Sequence, residues 1–501
     1  MNFNSIEYLI FLPVAVILYW LLPHKGRWIV LLAASILFYM SWNAWLIVLI
    51  MITAVTAYIA GIGIDRSTNK KTKKAWLICV LIICLGLLIF FKYINFFLES
   101  AVGVFRLFRT EQDNIVLNVI LPIGISFYTF QTLSYVIDVY RGDYKAEKHF
   151  GYFALYIMYF PQLIAGPIER PQDLLPQLKE NHQINRSDFS TGLKWLLSGF
   201  FRKCVIADFC GIFVNKVYAD LNSANALAVF VASALFLVQI YNDFAGYSEI
   251  AMGSARLMGI KLSRNFDKPF TSTSFTEFFR RWHITLNRWF TLYVYIPLGG
   301  NRKGTKRKII NTLIVFSLCG LWHGANWTFV LWGLVLGVII SIESLLQKPA
   351  IRLCELAKID IEKPFFRLFR QLVCLLLFSI VIVLFRAQSL TDIGIGYRQM
   401  FTAWGFGKEY FASAMSALGV NTMQLLQIIV IFVAGIFIYR LSGMEYSNEL
   451  VCEACDLSAA IIKKRQMTTV AIYIFGILAI ASFWLALIST GDTSAFQYFQ
   501  F

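Results

Sequence analysis

Two histidines, His283 and His323, are the side chains best suited to chemistry in this sequence. Imidazole titrates nearest to neutral pH, so it can take a proton from an attacking hydroxyl and return it to a leaving group. His323 lies in LWHGANW, between two apolar runs that would otherwise sit in lipid. An ionisable group at that depth is costly and usually faces a cavity or pathway inside the protein. Gly324 lets backbone approach closely, Asn326 can orient a ring nitrogen, and Trp327 can wall a pocket. The plainer alternative is that His323 satisfies a buried carbonyl between helices. His283 lies in FFRRWHITLNRW beside Arg280, Arg281 and Trp282. These neighbours fit either anionic-lipid contact or the mouth of a site for a phosphate-bearing donor such as coenzyme A, because Arg pairs bidentately with phosphate and Trp stacks on bases. Asp243 and Glu249 at a span edge are further candidates for the donor site, although pairing with arginines such as Arg256 or Arg281 is the commoner use of such acids. His24, His149 and His182 fall in loops and are expected to be solvated.

The elements that hold these groups are set by composition. The 501-residue chain is 58% hydrophobic with a mean hydropathy of +0.64, which excludes a water-soluble domain and indicates a multi-span membrane protein. The net charge of +16 is dispersed through short loops between apolar runs, as in loops facing anionic lipid, and no nucleic-acid partner is expected. Cys452 and Cys455 form a CxxC, but no second pair or nearby histidine completes a zinc site, so neither a metal nor a permanently bound cofactor is expected. P-loop, GxGxxG, GxSxG and HExxH motifs are absent from the sequence, which removes the usual signatures of ATP-driven transport and soluble hydrolases.

Residues 6–22 read as a first span, retained because no basic leader or cleavage site accompanies it. Residues 28–60 are too long for one span and break at Ser41, Trp42 and Asn43. The basic loop at 65–74 is placed inside by the positive-inside rule, which puts the N-terminus outside. Spans are expected at 76–91 and at 116–137, the latter interrupted at Pro122 and Gly124. Between Tyr140 and Arg202 the apolar pieces are too short to cross and read as re-entrant or interfacial helices, allowed only where protein covers their backbone. Residues 226–241 are apolar again. The basic residues between Lys261 and Lys308 place His283 near the cytoplasmic face. Residues 309–322 and 328–342, with basic loops on both flanks, form a hairpin or a broken helix whose far turn carries His323. Gly333 and Gly337 give a GxxxG for close helix packing. Residues 388–419 suit a membrane interface, 425–439 return inward, and 469–488 form a last span that leaves the C-terminus outside. The fold class is therefore all-α, a polytopic integral membrane protein with about nine to twelve crossing helices. Its single membrane domain divides into N-terminal spans (1–140), a core (141–390) and C-terminal spans (391–501).

The runs PIGISFYTFQTLSYVIDVYRG (122–142), YFPQLIAGPIERP (159–171), QIYNDFAGYSEIAMG (239–253), FFRRWHITLNRWFTLYVYIPLGGNR (278–302) and LWHGANWTFVLWG (321–333) resemble the membrane-bound O-acyltransferase family. Within it they look like the alginate O-acetyltransferase branch, related to the transporter-like protein of teichoic-acid D-alanylation. The likeness runs in order through residues 1–390 and persists after Gln388 only as hydrophobic layout. It implies that His323 is the catalytic histidine and His283 the second motif histidine, within a helical bundle around a tunnel from a cytoplasmic donor entrance to an outer acceptor funnel. It further implies transfer of an acyl group from a cytoplasmic thioester, acetyl-coenzyme A or an acyl carrier protein, to a hydroxyl outside. In this branch a separate exported protein often completes transfer to an exopolysaccharide or cell-wall glycan. Transfer of D-alanine or another acyl group from a carrier protein, and non-catalytic translocation of an acyl group or lipid-linked sugar, remain open alternatives.

Overall fold

An apolar run in hydrocarbon has no water to satisfy its peptide groups, so it closes its hydrogen bonds on itself as a helix. The computed structural model describes residues 1–107, 117, 119–421, 424 and 427. The CxxC of Cys452 and Cys455, the span expected at 469–488 and all but one residue of that at 425–439 lie outside the described residues. Among the described residues the secondary structure is helical, apart from one isolated antiparallel bridge between Phe266 and Trp282. The chain is an all-α, polytopic membrane protein. Five helices of the described residues are long and apolar enough to cross a membrane: Ala44–Arg66, Lys70–Phe105, Ala226–Arg256, Trp327–Leu356 and Pro364–Arg386.

The chain divides into two compact units. The first comprises Met1–Leu193, Ala251–Ser263 and Thr291–Tyr293. Its helices are α1 (Ile6–Leu21), α2 (His24–Met40), α3 (Ile47–Arg66), α4 (Lys70–Leu88), α5 (Ile94–Leu107), α6 (Ile125–Arg141), α7 (Phe150–Met158) and α8 (Pro171–Lys179). The break expected at Ser41–Asn43 is present because the Asn43 side chain accepts from the Trp45 N–H and starts a new helical turn. Both α7 and α8 have nine residues, about 14 Å of helix, too short to cross hydrocarbon. His149 is not merely solvated: its Nδ1 accepts from the Tyr152 N–H at the start of α7. The polar anchor of this unit is Asp138 on α6, fully buried. Its Oδ2 accepts from Arg170 Nη2 at 2.8 Å and Gln172 Nε2 at 3.1 Å, and its Oδ1 from the Tyr293 hydroxyl at 2.8 Å.

Two helices contribute to both units, α9 (Arg186–Phe200) and α11 (Ala226–Arg256). From the apolar stretch 226–241, α11 runs unbroken through the polar segment to Arg256. It can do so because the charges it carries are paired. The second unit, Lys194–Ile250, Arg264–Phe290 and Val294–Phe501, also holds α10 (Asp208–Ala219), α12 (Phe275–Arg281), α13 (Ile284–Phe290), α14 (Gly304–His323), α15 (Trp327–Leu356), α16 (Pro364–Val381), α17 (Val383–Arg386), α18 (Leu390–Thr402) and α19 (Lys408–Leu418). The hairpin alternative for residues 309–342 is the one adopted, as α14 and α15 pack along each other. Their contact depends on missing side chains. A Cβ on Gly320 would lie 2.1 Å from the Phe329 carbonyl oxygen, and one on Gly333 2.2 Å from that of Phe316. The GxxxG glycine Gly333 thus serves the close packing expected of it.

Candidate functional site

His323 is the last residue of α14, and Gly324, Ala325 and Asn326 turn the chain into α15. A Cβ at Gly324 would strike the Phe329 ring at 2.2 Å, so this tight turn holds the imidazole at the hairpin tip. The ring is half-buried and meets Trp322, Trp332 and Phe385 edge-on, with centroids 4.8, 5.4 and 5.2 Å away.

His283 lies in the connection between α12 and α13, outside the membrane-spanning helices. Its φ of +46° is a left-handed conformation that strains any residue with a Cβ. The strain is held by the bridge that flanks it, in which the Asp267 N–H donates to the Arg281 carbonyl and the Ile284 N–H to the Asn265 carbonyl, both at 2.9 Å. The imidazole is buried between Phe244, at 4.6 Å, and Trp322, at 5.6 Å. One indole therefore touches both histidines, which sequence reading had placed at different depths of the membrane. They are also within electrostatic reach of each other. Burial first, and then the neighbouring His323, hold the His283 imidazole well below its ordinary value of 6.5, because a charged ring has no water there to solvate it. A pair so placed can hold one neutral imidazole beside another that accepts a proton.

The remaining sequence candidates separate. Arg280 is exposed and Arg281 half-buried, and both line a cavity of roughly 1090 Å³ in the second unit. The cavity is charge-balanced rather than cationic: Arg280, Arg281, Lys308 and Arg370 are matched by Asp267, Glu277, Glu343 and Glu362. Arg281 is taken by Glu277 at 2.8 Å, and Glu343 accepts from the Phe275 and Thr276 N–H groups at the start of α12. Among the described residues Arg280, Lys308 and Arg370 form no ion pair; Lys308 donates to the Ser344 hydroxyl, which leaves Arg280 and Arg370 as the cavity's available anion-binding groups. Trp282 stacks on Phe278 at 5.2 Å and packs against Phe266 and Tyr241, so it is part of an aromatic wall rather than a free platform for a base.

Asn326 does not orient His323. Its Oδ1 accepts from the Thr328 N–H, capping α15, and its Nδ2 donates to the Gln388 carbonyl. Trp327 is 51% exposed at the first position of α15. Asp243 and Glu249 are ion-paired, as expected, but with Lys203 at 2.8 Å and Arg202 at 2.9 Å. Arg256 pairs instead with Asp188. Sequence reading missed Trp322, Phe244 and Phe385 as the rings that seat the histidines. Trp322 could have been found from its place beside His323; nothing in the sequence links Phe385 to the hairpin.

No cluster of metal-binding side chains occurs among the described residues. A sequence model of the membrane-bound O-acyltransferase family matches residues 147–387, the stretch that carries both histidines and the cavity arginine Arg280. The chain is 34% identical over 508 aligned residues, 100% of both chains, to a probable alginate O-acetylase of Pseudomonas putida. It is 35% identical over 368 residues, 66% of this chain and 68% of the relative, to a peptidoglycan O-acetyltransferase of Helicobacter pylori. A teichoic acid D-alanyltransferase of Streptococcus thermophilus is 31% identical over 241 residues, 43% of this chain and 55% of the relative. A strained, buried histidine and a second at a hairpin tip, both against one indole, thus sit in a multi-pass membrane protein of the membrane-bound O-acyltransferase family, to which this O-acyltransferase belongs.

Proposed function

We propose that the enzyme passes an acetyl group from acetyl-coenzyme A, supplied at the cytoplasmic face, to a hydroxyl outside the membrane, for O-acetylation of an exopolysaccharide or cell-wall glycan. The observation that carries this reading is the meeting of His283 and His323 at Trp322. His323, the more accessible of the two, takes the proton of the acceptor hydroxyl as its oxygen attacks the thioester carbonyl carbon. Collapse of the tetrahedral intermediate breaks the C–S bond, and the proton passes from His323 to the departing thiolate. His283 stays neutral through this cycle, so it does not oppose the charge that forms on His323. The cavity at Arg280 and Arg370 has the size of a small-molecule site and suits the phosphate-bearing end of the donor. In this orientation the N-terminus is outside. An exported partner protein completes delivery to the glycan.

The likeness to a D-alanyltransferase favours one second reading, in which the acyl group is D-alanine or another acyl group delivered by a carrier protein. Liposomes loaded with labelled acetyl-coenzyme A separate the two. Thioester consumption with label on an external acceptor is expected, and His323→Ala is expected to lower it about 10²- to 10⁴-fold. Wild-type consumption by a normally inserted His323→Ala protein would overturn the proposal, and activity with a charged carrier protein alone would transfer it to the second reading.

A further inference from the structure

Ions removed from water are retained only where partners hold them. In the second unit Arg202, Lys203, Asp208, Asp243 and Glu249 gather where α9 gives way to α10 through a π-helical turn, Phe201–Ala207. Such widened turns recur at functional sites, and here the turn sends two consecutive cations toward α11. Lys203, 1% exposed, lies 2.7 Å from Asp208 and 2.8 Å from Asp243. Arg202, 2% exposed, lies 2.9 Å from Glu249, donates to Asn242 at 3.2 Å, and sits over the Tyr241 ring at 5.6 Å. Backbone contact backs the grip, since a Cβ on Gly246 would lie 2.7 Å from the Gly199 carbonyl oxygen.

The same stretch of α11 holds His283. Phe244 meets its ring, and Tyr241 packs against Trp282 at 5.9 Å. Ser248 Oγ accepts from Asn265 Nδ2 at 3.2 Å, while Asn265 Oδ1 accepts from Thr285 Oγ at 2.6 Å. Positions 241, 244 and 248 share one face of the helix, and 242, 246 and 249 another. Ions therefore fix the rotation of α11 from one side, and α11 supports the strained His283 turn from the other.

We propose that the Arg202–Glu249 and Lys203–Asp243–Asp208 ion pairs are positioning residues for acyl transfer, setting α11 so that Phe244, Tyr241 and Ser248 hold His283 beside His323. The proposal rests on the reading of these two histidines as the proton-handling pair. A role in stability alone makes a different forecast, because apolar residues of similar size often replace a buried ion pair without loss of fold.

The test is Arg202→Met combined with Glu249→Leu, which removes both members of one pair and leaves no carboxylate without its cation, in the full chain reconstituted with acetyl-coenzyme A. The expected result is a fall in kcat of about tenfold, the scale of a modest misplacement, at unchanged KM and unchanged melting temperature. Arg202→Lys, which keeps the charge, is expected to retain most of kcat. Wild-type kcat in the double variant overturns the proposal. Should the double variant fail to accumulate, Ser248→Ala decides instead: it leaves the ions intact and cuts the link to Asn265, so an unchanged kcat again overturns it. His323→Ala measured in parallel separates the outcomes. If it stays active the functional reading fails, whereas if it is inactive and the double variant is not, only the positioning role fails.

Discussion

Asp138 in the first unit and the His283–His323 pair in the second are both ionisable groups taken out of water, and they are treated in opposite ways. Asp138 is ringed by donors from Arg170, Gln172 and Tyr293. The histidines are ringed by Phe244, Trp322, Trp332 and Phe385. A carboxylate so surrounded is locked, because every alternative leaves a buried charge without partners. An imidazole walled by rings is held in place by packing, and His323 stays only half-buried, where a proton can be exchanged. The contrast separates an anchor from a working site.

Paired variants break that contrast if it is wrong. His323→Ala should cost a large factor in turnover, as given above, with little change in melting temperature. Asp138→Ala should do the reverse: about 3–5 kcal/mol of stability lost, as for removal of one partner of a buried pair, with normal turnover per folded molecule. Thermal melts and turnover on the same preparations check both. A turnover loss in folded Asp138→Ala matching that of His323→Ala would erase the distinction.

The next effect is steric. Gly333→Val should separate α14 from α15 and cost about 1–3 kcal/mol, the range for overpacking, and it should also displace His323 at the hairpin tip and lower kcat. A variant of wild-type stability and rate would show that the hairpin does not depend on this contact. Asn326→Ala sharpens the site boundary: loss of a helix cap costs about 1 kcal/mol, and kcat should stay at the wild-type level. A large kcat loss at Asn326 would return it to the reacting groups.

The smallest effect is in pH. The folded-state value of His283 is depressed below 6.5 by burial and by His323, so below pH 6.5 the unfolded chain binds a proton that the folded one resists. The stability associated with neutral His283 is thus fully present above pH 6.5 and lost as pH falls toward the depressed value. Melting temperature measured on acidification should fall less steeply in His283→Gln than in wild type. Equal slopes would remove burial of His283 as the cause.

Hydropathy and spacing alone determined that this is an all-α membrane protein, that the chain breaks at Ser41–Asn43, and that His283 and His323 deserve attention. These rest on local physics: peptide groups in hydrocarbon must be satisfied within the helix, and an ionisable side chain in an apolar run needs a reason to be there. The five long motifs also carried the family, because runs of that length match in order or not at all. Position in space was another matter. The sequence put His283 and His323 at separate depths, and only the fold brought both against Trp322. It assigned Asn326 to the imidazole, where the backbone of α15 needed a cap. It also left Asp243 and Glu249 to Arg281 or Arg256, because the π-helical turn that delivers Arg202 and Lys203 leaves no periodic mark in the sequence. Contacts between residues distant along the chain follow from how helices rotate and cross, which no single run of residues encodes.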